Sequence, residues 1–225
     1  MNLYKIIEKD SIGEAWLAAT RFVLDAGRPV DFGEVAAREV LNLEIVVKNP
    51  RRDDPIIKKL GDREMIDFMM GNFFGEENIE EWGYSYRQRI FARDGLDNLI
   101  ASLREKRTST WSISTLLRPE EDSKHVPCLT QIQVLIREEK LYLICYFRAQ
   151  DIGRKLYADL LALTELGNLI RKEVKTVNLE IILHIASAHI YQEDTTDLEN
   201  ITTVRIAAMS GSEFSADPES CTSPP

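Results

Sequence analysis

The sequence predicts an α+β fold, with helices packed on one side of a mostly antiparallel sheet. Segments with apolar residues at helical spacing are interleaved with β-branched segments, and period-two patterns dominate residues 109–148. The chain has 225 residues, of which 44% are hydrophobic and 29% charged, a balance typical of globular proteins. We interpret residues 1–209 as one domain, and residues 210–225, rich in Ser and Pro, as a mobile tail.

Four segments are predicted to be helices. The first begins with a capping box, in which Ser11 and Glu14 can satisfy each other's backbone N–H groups, and it stops at Gly27. The last carries a stripe of leucines at helical spacing. In chain order the four are residues 11–27, 62–71, 96–106 and 151–172.

The predicted strands lie between and after these helices. Their sequences are β-branched or alternate between apolar and polar residues, and they are bounded by turn-forming residues. They cover residues 39–47, 111–115, a hairpin over 130–148 that turns at 138–140, and 177–191. An aromatic-rich loop, residues 82–87, separates the second and third helices.

Charge and composition exclude several classes of protein. Lys and Arg total 28 against 37 Asp and Glu, so the net charge of -9 argues against binding duplex nucleic acid. No apolar run approaches the length of a membrane span, and the first residues lack a signal-peptide pattern, so we expect a cytoplasmic protein. Three cysteines without a C-x-x-C pair indicate neither a disulfide framework nor a metal site.

The cysteine with the greatest chemical interest is Cys128, which lies where a charged loop turns into the predicted hairpin. A thiol at that point can face a pocket and act as a nucleophile, although a lone cysteine at a strand end is also commonly an inert apolar residue. Cys145 lies within a strand among apolar residues, and Cys221 lies in the predicted tail.

Five short motifs occur in a fixed order along the chain. They are EMIDFMMG at residues 64–71, WGYSYR at 82–87, Pro127-Cys128 followed by Gln131-Ile132-Gln133, RAQD at 148–151, and AHIY at 188–191. In this order they resemble the thymidylate synthase superfamily, which includes the pyrimidine nucleotide hydroxymethylases. The corresponding family motifs read E-L-L-W-F-L-x-G, Y-G-x-x-W-R, P-C-H-x-x-x-Q, R-S-x-D and A-H-I-Y.

The resemblance implies a thymidylate synthase-like fold, a homodimer and 5,10-methylenetetrahydrofolate as cofactor. Cys128 would add as a thiolate to carbon 6 of a pyrimidine nucleotide, which makes carbon 5 nucleophilic toward a one-carbon unit. Arg148 would lie close to both the sulfur and the substrate phosphate, and Glu64 would position water and move protons. The alternatives are a surface arginine at a strand end and an exposed glutamate in the first turn of a helix.

Further substrate contacts follow from the same resemblance. His189 and Tyr191 point to one side of a strand and would hold a sugar hydroxyl, unless they are core residues. Asp151 completes the element that begins at Arg148. Arg28 would be a mobile phosphate-binding arginine.

Three departures from the family pattern bear on the substrate. Asp159 replaces the asparagine that reads uracil, and a carboxylate favours the amine and ring nitrogen of cytosine, although it is otherwise a polar helix residue. Ala149 replaces the serine of R-S-x-D, as in hydroxymethylases that accept a ribonucleotide, although it is otherwise a small strand-end residue. The paired phosphate arginines are missing, and Arg107 or Lys106 would substitute for them.

These observations favour folate-dependent hydroxymethylation of cytidine monophosphate, with CMP ahead of dCMP. The sequence leaves two alternatives open. One is a thymidylate synthase that methylates dUMP, and the other is a catalytically idle relative that binds a nucleotide or RNA.

Overall fold

A computed structural model describes residues 4–33, 35–92, 95–122 and 125–210. The elements in chain order are β1 (Lys5–Lys9), α1 (Ile12–Ala26), β2 (Arg28–Asp31), β3 (Ala36–Val47), α2 (Pro55–Leu60), α3 (Arg63–Phe74), α4 (Tyr86–Phe91), α5 (Gly95–Glu105), β4 (Ile113–Thr115), β5 (Leu129–Arg137), β6 (Lys140–Asp151), α6 (Leu156–Val174), β7 (Asn178–Tyr191) and α7 (Thr195–Ser210). A short 3₁₀ turn, Gln192–Asp194, links the last two.

The strands form one sheet in the order β1-β3-β7-β6-β5-β4, with β2 paired to the start of β3. Among the described residues β1 pairs with β3 and β6 pairs with β7 in parallel, and the other four pairings are antiparallel. The prediction of an α+β fold with a mostly antiparallel sheet is therefore confirmed. The long parallel pair requires a crossover connection, which is the helix α6.

Helices cover one side of this sheet. Along β6 the buried side chains are Leu141, Leu143, Cys145 and Phe147, which alternate with partly exposed residues on the other side. α1 and α6 pack against the buried side, and α3 packs on α6. Cys145 is thus a core residue, as its apolar neighbours predicted.

Local sequence explains how the first helices form. The capping box between Ser11 and Glu14 is present, and the N–H of Gly27 donates to the carbonyl of Val23, so α1 begins and ends where predicted. Asp54 is buried and accepts N–H groups from both α2 and Gly13, at 2.8 Å for Gly13. One carboxylate therefore joins the starts of α1 and α2.

Several elements differ from the prediction. β1, β2, α2, α4 and α7 were not predicted, because they are short or carry too few apolar residues for a clear period. α6 begins at Leu156, five residues after the predicted start, because Asp151 ends β6 and residues 152–155 form a turn. The predicted strand from residue 111 is shorter, and Trp111 stands outside it, 86% exposed. Residues 211–225 of the predicted tail, including Cys221, lie outside the described part of the chain.

None of the helices in the described part of the chain combines the length and the apolar character needed to cross a membrane.

Candidate active site

A cavity of about 540 Å³ opens where β6 and β7 end and α6 begins. Cys128, Arg148 and Asp159, which the sequence singled out, all line it. Ala149, Asp151, His189 and Tyr191 line it as well. Its size is typical of pockets that enclose a small organic ligand.

The parallel register of β6 and β7 brings two of the predicted motifs together. Ala149 lies opposite Ser187, and Asp151 lies opposite His189. The next strand, β3, adds Glu39, which is the antiparallel neighbour of His189. One wall of the cavity is thus made from three adjacent strands, although their residues are far apart in sequence.

Cys128 is partly buried at the entrance to β5. Its carbonyl accepts the N–H of Arg148 at 2.9 Å, and the following N–H, of Leu129, donates to the hydroxyl of Tyr86 at 3.1 Å. Burial raises the pKa of the Cys128 thiol, the charge of Arg148 opposes this, and that of Asp159 adds to it. Burial outweighs Arg148, so the free protein holds Cys128 as a thiol around neutral pH.

The guanidinium of Arg148 fixes the loop that carries Cys128. Its Nη2 donates to the carbonyl of Val126 at 2.7 Å, and its Nε donates to the carbonyl of Pro127 at 3.1 Å. Arg148 therefore acts on Cys128 in two ways, through its charge and by fixing the backbone before it.

Asp159 lies in the first turn of α6 and is only 3% exposed. One carboxylate oxygen accepts from Nε2 of Gln150 at 2.8 Å, and the other, Oδ1, is buried without a partner among the described residues. Burial raises the pKa of Asp159 to about 7, against the effects of the Gln150 hydrogen bond and Lys155. The carboxyl group can therefore be protonated or ionised close to neutral pH.

His189 is buried and uncharged on the strand wall. Its ring contacts Phe32 and Tyr191 edge-on, with centroids 5.2 and 5.0 Å away. Burial lowers its pKa, and its Nδ1 has no partner among the described residues. Such an atom can bond a polar group of a ligand, because a buried nitrogen left unpaired is unfavourable.

Several further residues that line the cavity were not predicted from the sequence to be site residues, and four of them are polar or aromatic side chains with defined contacts. Glu39 accepts a hydrogen bond from Ser187, and Lys155 places its Nζ 5.8 Å from the ring centroid of Trp82. His125 stacks on the same tryptophan. No motif marks Glu39, Lys155 or His125, and Trp82 was identified only as part of the WGYSYR motif in the aromatic-rich loop, without a role in the site.

Three predicted site residues do not line the cavity. Glu64 is exposed in the first turn of α3, whereas Met69 is the α3 residue that reaches the cavity. Five residues correspond to about 140° around a helix axis, so Glu64 and Met69 face different directions. Glu64 therefore does not line this cavity, and its catalytic role stays a prediction.

Neither of the two predicted arginines outside the central motifs reaches the cavity. Arg107 donates to the carbonyl of Val174 at 2.8 Å and pairs with Glu139, at the opposite end of β6 from Arg148. Arg28 is exposed on β2, where it neighbours Glu39 in the strand register without lining the cavity. Within the described ranges, no cluster of His, Cys, Asp and Glu could hold a metal ion.

Comparisons of the sequence with family models and with known proteins all indicate one family. A family model described as "Thymidylate synthase" matches residues 61–215. Three similar proteins carry the name "Putative thymidylate synthase". That of Methanosarcina mazei is 28% identical over 88% of this chain and 94% of its own, and that of Methanocaldococcus jannaschii is 27% identical over 85% and 92%. That of Methanothermobacter marburgensis is 26% identical over 87% and 96%.

The balance between burial and Arg148 predicts the reactivity of Cys128. Alkylation by iodoacetamide should follow a pKa above that of an ordinary cysteine, and Arg148→Gln should raise this pKa further, because the variant keeps the burial and removes the charge. Mass spectrometry of the modified peptide over a range of pH measures both effects. Cys145 should stay unmodified in the folded protein, and a lower pKa in Arg148→Gln would contradict the assignment.

Proposed function

The chain belongs to the thymidylate synthase family, and on this premise we propose that it transfers a one-carbon unit from methylenetetrahydrofolate to ring position 5 of cytidine monophosphate. The product would be the 5-hydroxymethyl nucleotide. The observation that carries the choice of base is the buried carboxyl group of Asp159, one oxygen of which has no partner among the described residues, in the cavity that contains Cys128.

Cytosine and uracil present different hydrogen-bonding edges. Cytosine has an amine that donates and a ring nitrogen that accepts, whereas uracil has a carbonyl that accepts and a ring N–H that donates. A protonated Asp159 matches cytosine on both counts, because its O–H can donate to the ring nitrogen while its other oxygen accepts from the amine. A hydrogen bond or proton given to the ring nitrogen also activates carbon 6 toward a thiolate.

Cys128 is the proposed nucleophile. Its resting thiol must lose a proton before attack, and the nearby charge of Arg148 favours the thiolate. Addition to carbon 6 forms a carbon–sulfur bond and makes carbon 5 nucleophilic. Reversal of this addition releases the product and restores Cys128.

The charges of the cavity also suit the nucleotide. Arg148 and Lys155 are the Lys and Arg side chains among its described lining residues, and an anionic phosphate needs such partners. We assign the phosphate to Arg148 and the sugar hydroxyls to His189 and Tyr191. Ala149 leaves space beside Arg148, which supports a ribonucleotide.

The remaining surface of the cavity fits a flat, polar heterocycle such as the pterin of a folate. Trp82 offers an aromatic face, Met69 offers an apolar contact, and the buried carboxyl of Asp151 can accept N–H groups. When bound there, methylenetetrahydrofolate supplies the one-carbon unit. Lys155, near Trp82, can pair with an acidic group of the cofactor.

A second candidate is the methylation of dUMP. The names of the related proteins favour it, since each is called a putative thymidylate synthase. The two reactions share Cys128 and differ in the base read by residue 159 and in whether water or hydride completes the product.

The proposed reaction is tested by incubating the protein and methylenetetrahydrofolate with CMP, dCMP, UMP or dUMP, followed by mass spectrometry of the nucleotide. We expect 5-hydroxymethyl-CMP as the main product. Cys128→Ser should abolish turnover while nucleotide binding persists, because the hydroxyl of serine is rarely ionised at neutral pH. Cys145→Ser serves as the matched control and should keep the activity. Methylated dUMP as the main product would establish the second candidate instead.

Asp159→Asn tests the choice of base separately. An amide can donate to the uracil carbonyl and cannot give a proton to the ring nitrogen of cytosine, so the ratio of kcat/KM for CMP to that for UMP should fall. A mismatched buried polar pair costs about 1–3 kcal/mol, which corresponds to about tenfold or more. Steady-state kinetics on both nucleotides measure the ratio, and an unchanged ratio would remove the argument from Asp159.

We also expect a homodimer. The sheet side opposite the helices carries Tyr142, Ile144 and Tyr146, and no helix of the described chain covers it. A dimer related by a twofold axis would pack this side against its copy. Sedimentation velocity at micromolar concentration should show about twice the 25.8 kDa mass of the chain, and a monomer alone would contradict the expectation.

A further inference from the structure

The proposed reaction requires a group that moves a proton at carbon 5, and the residue that the family resemblance implies for proton transfer does not line the cavity. Glu64 is exposed and lies outside the cavity. On the wall formed by β3, β6 and β7, the cavity has three titratable residues that could serve, Glu39, Asp151 and His189. A further titratable residue that lines the cavity is His125, which lies in the loop that leads into Cys128.

His125 is held in a defined orientation. Its ring stacks on Trp82 with centroids 5.1 Å apart and an angle of 6° between the planes. Its Nδ1 lies 3.0 Å from the hydroxyl oxygen of Tyr84. Both His125 and Trp82 line the cavity, and His125 precedes Cys128 by three residues.

Tyr84 itself packs against a buried ion pair. Arg89 is buried, lies 4.5 Å from the ring centroid of Tyr84, and pairs with Asp122 at 2.6 Å. Asp122 also accepts the N–H of Arg118 at 2.6 Å. Loss of one partner of a buried ion pair strongly destabilises a protein, so Arg89 holds Tyr84 and Asp122 in a fixed arrangement.

We propose that His125, oriented by Tyr84 and Trp82, is the catalytic residue that moves the proton at ring position 5 of the bound pyrimidine. This inference rests on the proposed function and assigns it a residue. In this proposal His125, three residues before Cys128, carries out the proton transfer that the family resemblance implies for Glu64.

The chemistry balances with the groups present. As the sulfur of Cys128 adds to carbon 6, the thiol gives its proton to Nε2 of His125, and the imidazolium formed in this way passes the proton to carbon 5. When a hydrogen leaves carbon 5, the electron pair of the C–H bond returns to the ring, the thiolate departs from carbon 6, and Nε2 receives the proton. Without a one-carbon unit, these two steps together exchange the hydrogen at carbon 5 with solvent.

Tyr84 allows both directions of transfer, because a hydroxyl can donate or accept. It donates to Nδ1 while Nε2 carries the proton, and it accepts from Nδ1–H when Nδ1 is the protonated nitrogen. Burial raises the pKa of Tyr84, which keeps its hydroxyl protonated. Burial and the charges of Arg148 and Lys155 lower the pKa of His125, while the charge of Asp122 opposes them. The imidazole is therefore neutral near pH 7 and can accept a proton.

The test follows the loss of the H5 signal of CMP by NMR in deuterated buffer, without folate. Wild-type protein should exchange H5, and His125→Gln should slow the exchange by about 10²-fold or more while the Kd for CMP changes little. Added imidazole should restore part of the exchange in His125→Gly. Tyr84→Phe, which loses the hydroxyl but keeps the ring, should give a smaller decrease.

His184→Gln is the matched control, because His184 stacks on Tyr146 and pairs with Glu44 away from the cavity lining, and it should exchange at the wild-type rate. Since Tyr146 lies on the sheet side expected at the dimer interface, sedimentation velocity verifies that this variant keeps the wild-type oligomeric state. Thermal unfolding verifies that each variant is folded. Exchange at the wild-type rate in folded His125→Gln would overturn the inference, as would wild-type protein that binds CMP without exchanging H5. Exchange that depends on His125, without hydroxymethyl product when folate is added, would instead refute the proposed reaction and leave the role of His125 standing.

Discussion

The parallel pairing of β6 with β7 is the constraint on which the site depends. Parallel neighbours cannot be joined by a tight turn, so the chain must cross over the sheet, and α6 makes that crossing. Both strands consequently end at the same edge of the sheet, and α6 begins there. Motifs about forty residues apart, at the ends of β6 and β7, become neighbours, and the first turn of α6 brings Asp159 to the same place.

Burial controls the chemistry of this edge. The cavity contains acidic and basic groups in surroundings that disfavour charge, so Cys128, Asp159 and His189 are all biased toward their neutral forms. Arg148 and Lys155 act against this bias for the acidic groups. An anion or a hydrogen-bond donor that binds in the cavity would therefore shift the protonation of these groups.

Much of the fold and part of the site could be predicted from the sequence. Period-two and helical patterns identified the long elements, and the residues of the motifs around Cys128, Arg148 and His189 do meet in the cavity. The motif containing Glu64 was identified as a helix, but which face of that helix points inward depends on its packing against α6, which no local pattern encodes. Lys155 and His125 belong to no motif, because their roles arise from the loops and strands that fold around them.

The buried carboxyl group of Asp159 also has a consequence for the stability of the protein. Its pKa is about 7 in the folded chain against an ordinary value of 3.8. The unfolded chain therefore releases this proton between about pH 4 and 7 while the folded chain retains it, so this residue lowers the free energy of unfolding as the pH rises through that window. The free energy of unfolding is lowered by about 4 kcal/mol above this window relative to below it, which is comparable with the effect of a large core mutation. Efforts to engineer heat tolerance would therefore tend to select an apolar residue at position 159 and, with it, a more stable protein whose cavity has lost that carboxyl group.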